Sequence, residues 1–138
     1  MEKDLNLKID DTFDSAKFDI ETSEWIFWFK NKLRIQTSGF WRVLQSGKYK
    51  LISSDHRRNR NDPTNFDLTP AVIETLKGRS LENIKILQKG DVLFTFDQNV
   101  VLEMYISWVG YETYQIYLKN GDTIVGISNE VGLNGKWL

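Results

Sequence analysis

The chain's single histidine lies in Ser53-Ser54-Asp55-His56-Arg57-Arg58-Asn59-Arg60, where three kinds of chemistry compete. An Asp beside a His is the start of an acid–base pair or of a metal site. A metal site needs three or four convergent ligands, and the sequence offers no second His and no Cys. A Ser-His-Asp arrangement would need remote partners that this spacing does not supply. The simpler role is structural: Asp55 and its serines cap loop amides, and His56 holds the start of the loop. Arg57, Arg58 and Arg60 would suit phosphate contacts, but three bases bracketed by acids argue against a nucleic-acid arm. They serve better as a secondary contact for a protein. The nine glycines sit singly, with no phosphate-cradling pattern among them. These residues predict no catalytic centre, no metal and no cofactor, and hence not an enzyme.

The most unusual stretch is Met104-Tyr105-Ile106-Ser107-Trp108-Val109-Gly110-Tyr111-Glu112-Thr113-Tyr114-Gln115-Ile116-Tyr117. On two alternating strands, Met104, Ile106, Tyr114 and Ile116 would face a core. Tyr105, Gln115 and Tyr117 would face out, with Trp108, Tyr111 and Glu112 near a hairpin tip. Aromatic side chains with a polar handle bury much area at little entropic cost, so they concentrate where proteins meet. The competing role for Tyr105 and Tyr117 is an ordinary cross-strand pair. Tyr105, Trp108, Tyr111, Glu112 and Tyr117 are therefore the first candidates for a partner-binding surface, and Arg57, Arg58 and Arg60 the second.

Strands must position these groups. Aromatics are 13% of the chain and there are two prolines, a mixture that fits pleated, half-buried surfaces. Two stretches match at an offset of about 67: Trp25, Phe27, Phe29, Leu33 and Ile35 fall opposite Val92, Phe94, Phe96, Val100 and Leu102. Phe13 and Phe18 answer Leu81 and Ile86, and Ser46-Gly47 answers Asn120-Gly121. The expected fold is a single domain over 1–138, mainly β (α+β), with an internal repeat over 13–53 and 81–128. Each half reads as an antiparallel meander of about five strands, near 15–21, 24–30, 32–37, 40–45 and 48–53, then 82–88, 91–97, 99–107, 112–119 and 122–128. Between them lie a loop, 54–66, and one helix, 69–78, capped by Thr69 with Pro70 in its first turn and Gly78 at its end. The halves would pack as a sandwich or as one strongly curved, nearly closed sheet.

Charge is uneven although the net is −1. Residues 1–24 hold eight acids and three bases, 25–60 nine bases and one acid, and 61–138 ten acids and six bases, a pattern able to steer a charged partner. No apolar run is long enough to span a bilayer, and the acidic start is unlike a secretory signal, so a soluble, cytoplasmic protein is expected. A closed set of about ten strands would also suit a carrier of a small apolar ligand. An unpaired sheet edge would allow a homodimer.

Trp41-Arg42, Ser54-Asp55-His56, Gly90-Asp91-Val92-Leu93-Phe94-Thr95-Phe96, Leu102-Glu103, Ser107 and Tyr111-Glu112 together resemble a family of small, β-rich bacterial proteins. That family is associated with the immunity proteins of polymorphic and contact-dependent toxin systems. The resemblance implies a non-enzymatic inhibitor whose partner is a toxin domain, covered through a complementary surface. It implies no catalytic residue.

Overall fold

In the computed structural model, which describes residues 1–57 and 66–138, the chain is mainly β with one α-helix. The strands are β1 (Leu5–Asp19), β2 (Glu24–Phe29), β3 (Arg34–Thr37), β4 (Trp41–Gln45), β5 (Lys48–Ile52), β6 (Ser80–Ile86), β7 (Val92–Phe96), β8 (Val100–Met104), β9 (Glu112–Tyr117), β10 (Thr123–Ile127), β11 (Glu130–Leu133) and β12 (Lys136–Trp137). A 3-10 turn, Ser53–Asp55, follows β5, and helix α1 spans Thr69–Leu76. All pairing is antiparallel, in one open 12-stranded sheet of order β12-β11-β10-β9-β3-β2-β1-β6-β7-β8-β4-β5.

That order differs from two runs of five neighbouring strands. β3 is followed in sequence by β4 but pairs with β9, while β4 pairs with β8. Alternation in a strand sets which side chains face the core, not which strand lies alongside. The ladders nonetheless correspond. Trp25 opposite Thr37 and Phe27 opposite Ile35 recur 67 positions on as Val92 opposite Met104 and Phe94 opposite Leu102. The β1–β2 and β6–β7 ladders each slip once, between Phe13 and Ser15 and between Leu81 and Asn83.

The long first strand is shared. Residues 5–8 and 11–12 of β1 pair with β6, and residues 13–19 pair with β2. At the changeover sits Asp11, a buried carboxylate that accepts the amides of Asn31 at 2.8 Å and Leu33 at 3.4 Å. It thereby satisfies backbone donors in the β2–β3 turn that lack a ladder partner. The sheet bends strongly about this strand. Trp25 on β2 and Trp41 on β4 are five strands apart in the order, about 24 Å in a flat sheet, yet their rings meet edge-to-face at 5.2 Å. Phe29 and Phe96 stack across the same interior at 6.1 Å.

Helix α1 buries Val72 and Leu76 against this core, packing on β1. Thr69 is its first residue and not its cap; the Thr69 amide donates instead to the Asp67 carboxylate at 3.0 Å. Gly78 follows in a left-handed conformation, φ 78°, which ends the helix as expected.

Tyr114 is fully buried and its hydroxyl donates to the Gly90 carbonyl at 2.8 Å. Burial, with the nearby Asp91 charge, pushes this phenol well above its ordinary value. Unfolded tyrosine ionises near pH 10. Above that pH the unfolded chain releases a proton that the folded chain keeps, so Tyr114's contribution is whole below pH 10 and declines as pH rises. The expected slope is about 1.4 kcal/mol per pH unit. Urea melts of wild type and Tyr114→Phe between pH 8.5 and 11.5 test this: the variant's curve should be flatter by about one proton, and parallel curves would contradict it.

Candidate functional site

Two segments cross between the same pair of ladders. Thr37 is opposite Tyr114 and Trp41 is opposite Met104, so the links Thr37-to-Trp41 and Met104-to-Tyr114 bridge the same gap in opposite directions. The first needs three intervening residues; the second uses nine. The six extra residues carry Trp108, Val109 and Tyr111, which are 39%, 83% and 60% exposed. Long connections with large apolar side chains held at the surface are where binding loops are found.

The base of this loop is fixed by buried threonines. The Thr113 hydroxyl accepts the amides of Ser107 at 3.2 Å and Trp108 at 3.3 Å, and the Thr113 carbonyl accepts the Ser38 amide and the Thr37 hydroxyl. The Ser107 hydroxyl takes the Phe40 amide at 2.9 Å. Only a glycine fits between the two links: a Cβ on Gly39 would lie 2.5 Å from the Thr113 methyl and 2.7 Å from the Tyr105 carbonyl oxygen. Above this base the Trp108 indole N–H donates to the Ser38 hydroxyl at 3.0 Å, and the Tyr111 ring lies 5.4 Å from it.

Two adjoining cavities, of about 430 and 550 Å³, share Ser23 and Ser38 and form one groove at this end of the sheet. Phe18, Trp25, Phe40, His56 and Arg57 line one side; Glu24, Trp108, Tyr111, Glu112 and Gln115 line the other. Glu112 is held by the Gln115 side-chain amide at 2.8 Å.

His56 is built into the wall. Its Nδ1 accepts the Leu68 amide at 3.0 Å, and its ring packs on Phe18 at 4.5 Å and Trp25 at 4.8 Å. A ring nitrogen that accepts an amide carries no proton there, so the imidazole ties residue 56 to Leu68 through Nδ1. Arg57 contributes its backbone, donating to the Phe66 carbonyl at 3.0 Å. Among the described residues no three His, Cys, Asp or Glu side chains gather as metal ligands.

The remaining candidates divide. Arg58 and Arg60 lie outside the described residues. Tyr105 and Tyr117 do not pair with each other, because β8 and β9 are not neighbours and no hairpin links them; Tyr105 opens the nine-residue link, with its ring 5.6 Å from Phe40. Tyr117 lies under the Arg34 guanidinium, 4.2 Å from the ring centre. Tyr105 donates to Glu103 at 3.0 Å, beside an Arg42 guanidinium that bonds Glu103 and lies over the Tyr49 and Tyr105 rings. Burial, then the bond to Glu103, pushes the Tyr105 phenol up. Sequence reasoning missed Phe40, Ser38 and Glu24; the one available signal was Ser38-Gly39-Phe40, a short link with glycine where two segments cross.

No helix among the described residues is long and apolar enough to cross a membrane. No family model matches the chain, and neither a curated protein nor a solved structure matches it.

Proposed function

We propose that this protein is a non-enzymatic protein-interaction module that docks its partner in the groove beside the Trp108–Tyr111 loop. The observation that carries the reading is the six-residue excess of that loop, spent on exposed aromatic side chains above a rigid polar base. Rigid aromatics lose little entropy on binding and account for most interface hot spots. With the resemblance noted above, the partner is a bacterial toxin domain and the chain its immunity protein, acting in the cytoplasm. The corresponding ladders further support a duplicated origin, with the last two strands of each half exchanged into the other and the halves packed face to face. Against a carrier of apolar ligands, Phe13, Phe27, Trp41, Phe94, Phe96 and Tyr114 occupy the interior where a ligand would sit.

Trp108→Ala/Tyr111→Ala is expected to melt within about 3 °C of wild type, since surface changes cost little. It should weaken partner binding at least about 30-fold, the scale of a hot-spot loss. Tagged chain from its source cells should retain a protein in 1:1 ratio whose toxicity it suppresses, and the variant should not. Undiminished binding by a folded variant would remove the groove from the interface.

A further inference from the structure

We propose that the Trp108 end of the groove receives an arginine side chain presented by the protein partner, an inference that rests on reading the groove as a docking surface. The same chemistry is completed elsewhere in this molecule. Arg42 is held by the Glu103 carboxylate with its guanidinium over Tyr49 at 4.7 Å and Tyr105 at 5.3 Å. Arg34 lies 4.2 Å over Tyr117. Around the 550 Å³ cavity the anionic and aromatic parts recur without the cation. Trp108 and Tyr111 offer ring faces inclined by 31°, and the indole is oriented by Ser38. Glu24 and Glu112 stand at the same cavity, which no Lys or Arg among the described residues lines. Neither carboxylate is in an ion pair among the described residues; Glu112 has only the neutral Gln115 amide.

Aromatic faces beside carboxylates select a cation, and a planar guanidinium can stack on a ring while its edge bonds a carboxylate. Asp19 at the adjoining turn adds to the negative field. Arg57 lines the other cavity and repels a second cation there, so the charge is directed to the Trp108 end.

The test uses the full ¹⁵N-labelled chain, titrated with N-acetyl-arginine amide and with the neutral isostere N-acetyl-citrulline amide. The readout is the Trp108 indole N–H, assigned by its loss in Trp108→Phe. The arginine probe should give saturable shifts and bind about tenfold more tightly than citrulline. Glu24→Gln/Glu112→Gln should reduce it to the citrulline level. No saturable shift, equal response to both probes, or an unchanged response in the glutamine variant would each overturn the proposal. If the probe fails while Trp108→Ala/Tyr111→Ala still loses the partner, the docking surface stands and its choice of arginine falls. If the probe binds and that variant keeps the partner, the docking reading is what fails.

Discussion

Replacing Trp41 by alanine is expected to cost about 3–5 kcal/mol and to lower Tm by about 10–20 °C. Trp41 is fully buried, and its ring meets Trp25 at 5.2 Å and Phe27 at 5.5 Å, both edge-to-face. Those two residues belong to β2, five strands away along the sheet. The ring therefore fills space between two walls that are each held by their own ladders, and neither can move in to close the void. A cavity that does not collapse carries the full penalty. Trp41→Phe separates volume from hydrogen bonding. The indole N–H is buried with no hydrogen-bond partner among the described residues, so removing it relieves an unsatisfied donor. The phenylalanine variant should lose only about 1–2 kcal/mol. Chemical denaturation of the three proteins measures this; an alanine variant within about 1 kcal/mol of wild type would mean that the walls do close.

The same contacts mark the limit of what alternation reveals. The apolar positions 25, 27 and 29 identify β2 nearly to the residue, because every second side chain there is buried. Residues 5, 7 and 9 carry the same signal, with Asn6, Lys8 and Asp10 between them, and β1 begins at Leu5 and not near 15. The acidic composition of the first residues obscured a legible period of two. Val131, fully buried, likewise anchors β11 in a tail whose glycines hide the pattern. The strand order was not legible at all. The core faces of β3 and β4 are the same whether those strands pair with each other or with β9 and β8, so no residue in either reports the choice.

The site follows from that strand order. Tyr105 and Tyr117 look like neighbours across a hairpin in the sequence, and the strand order places them in opposite halves of the sheet. Trp108, Tyr111 and Glu112 stay together because they lie within five consecutive residues, and Arg57 reaches the same groove. Local grouping survives ignorance of topology; pairing across strands does not. Phe40 and Ser38 were hidden for the converse reason, since they meet the loop only because both links span one gap.

Gly126→Ala is expected to destabilise the protein by about 3 kcal/mol, although it adds a single methyl group in a strand. Gly126 lies opposite Tyr114 in the β9–β10 ladder. A Cβ there would stand 2.3 Å from the Tyr114 Cε2 and 2.4 Å from Cζ, so the ring lies directly across the glycine. Tyr114 cannot withdraw easily. It is fully buried and tethered to the Gly90 carbonyl, and moving it leaves that hydroxyl and carbonyl unsatisfied. A double-mutant cycle identifies the cause. Tyr114→Val alone leaves a cavity, but in the Gly126→Ala background the methyl meets no ring. The combined loss should fall short of the sum of the single losses by more than about 1 kcal/mol. Additive losses would place the alanine's harm outside this contact. The groove should register the change too, because Thr113, adjacent to Tyr114, holds the Ser107 and Trp108 amides. Amide exchange at Trp108 is expected to quicken in Gly126→Ala and to slow again in the double variant, tying a packing fault in the core to the loop that meets the partner.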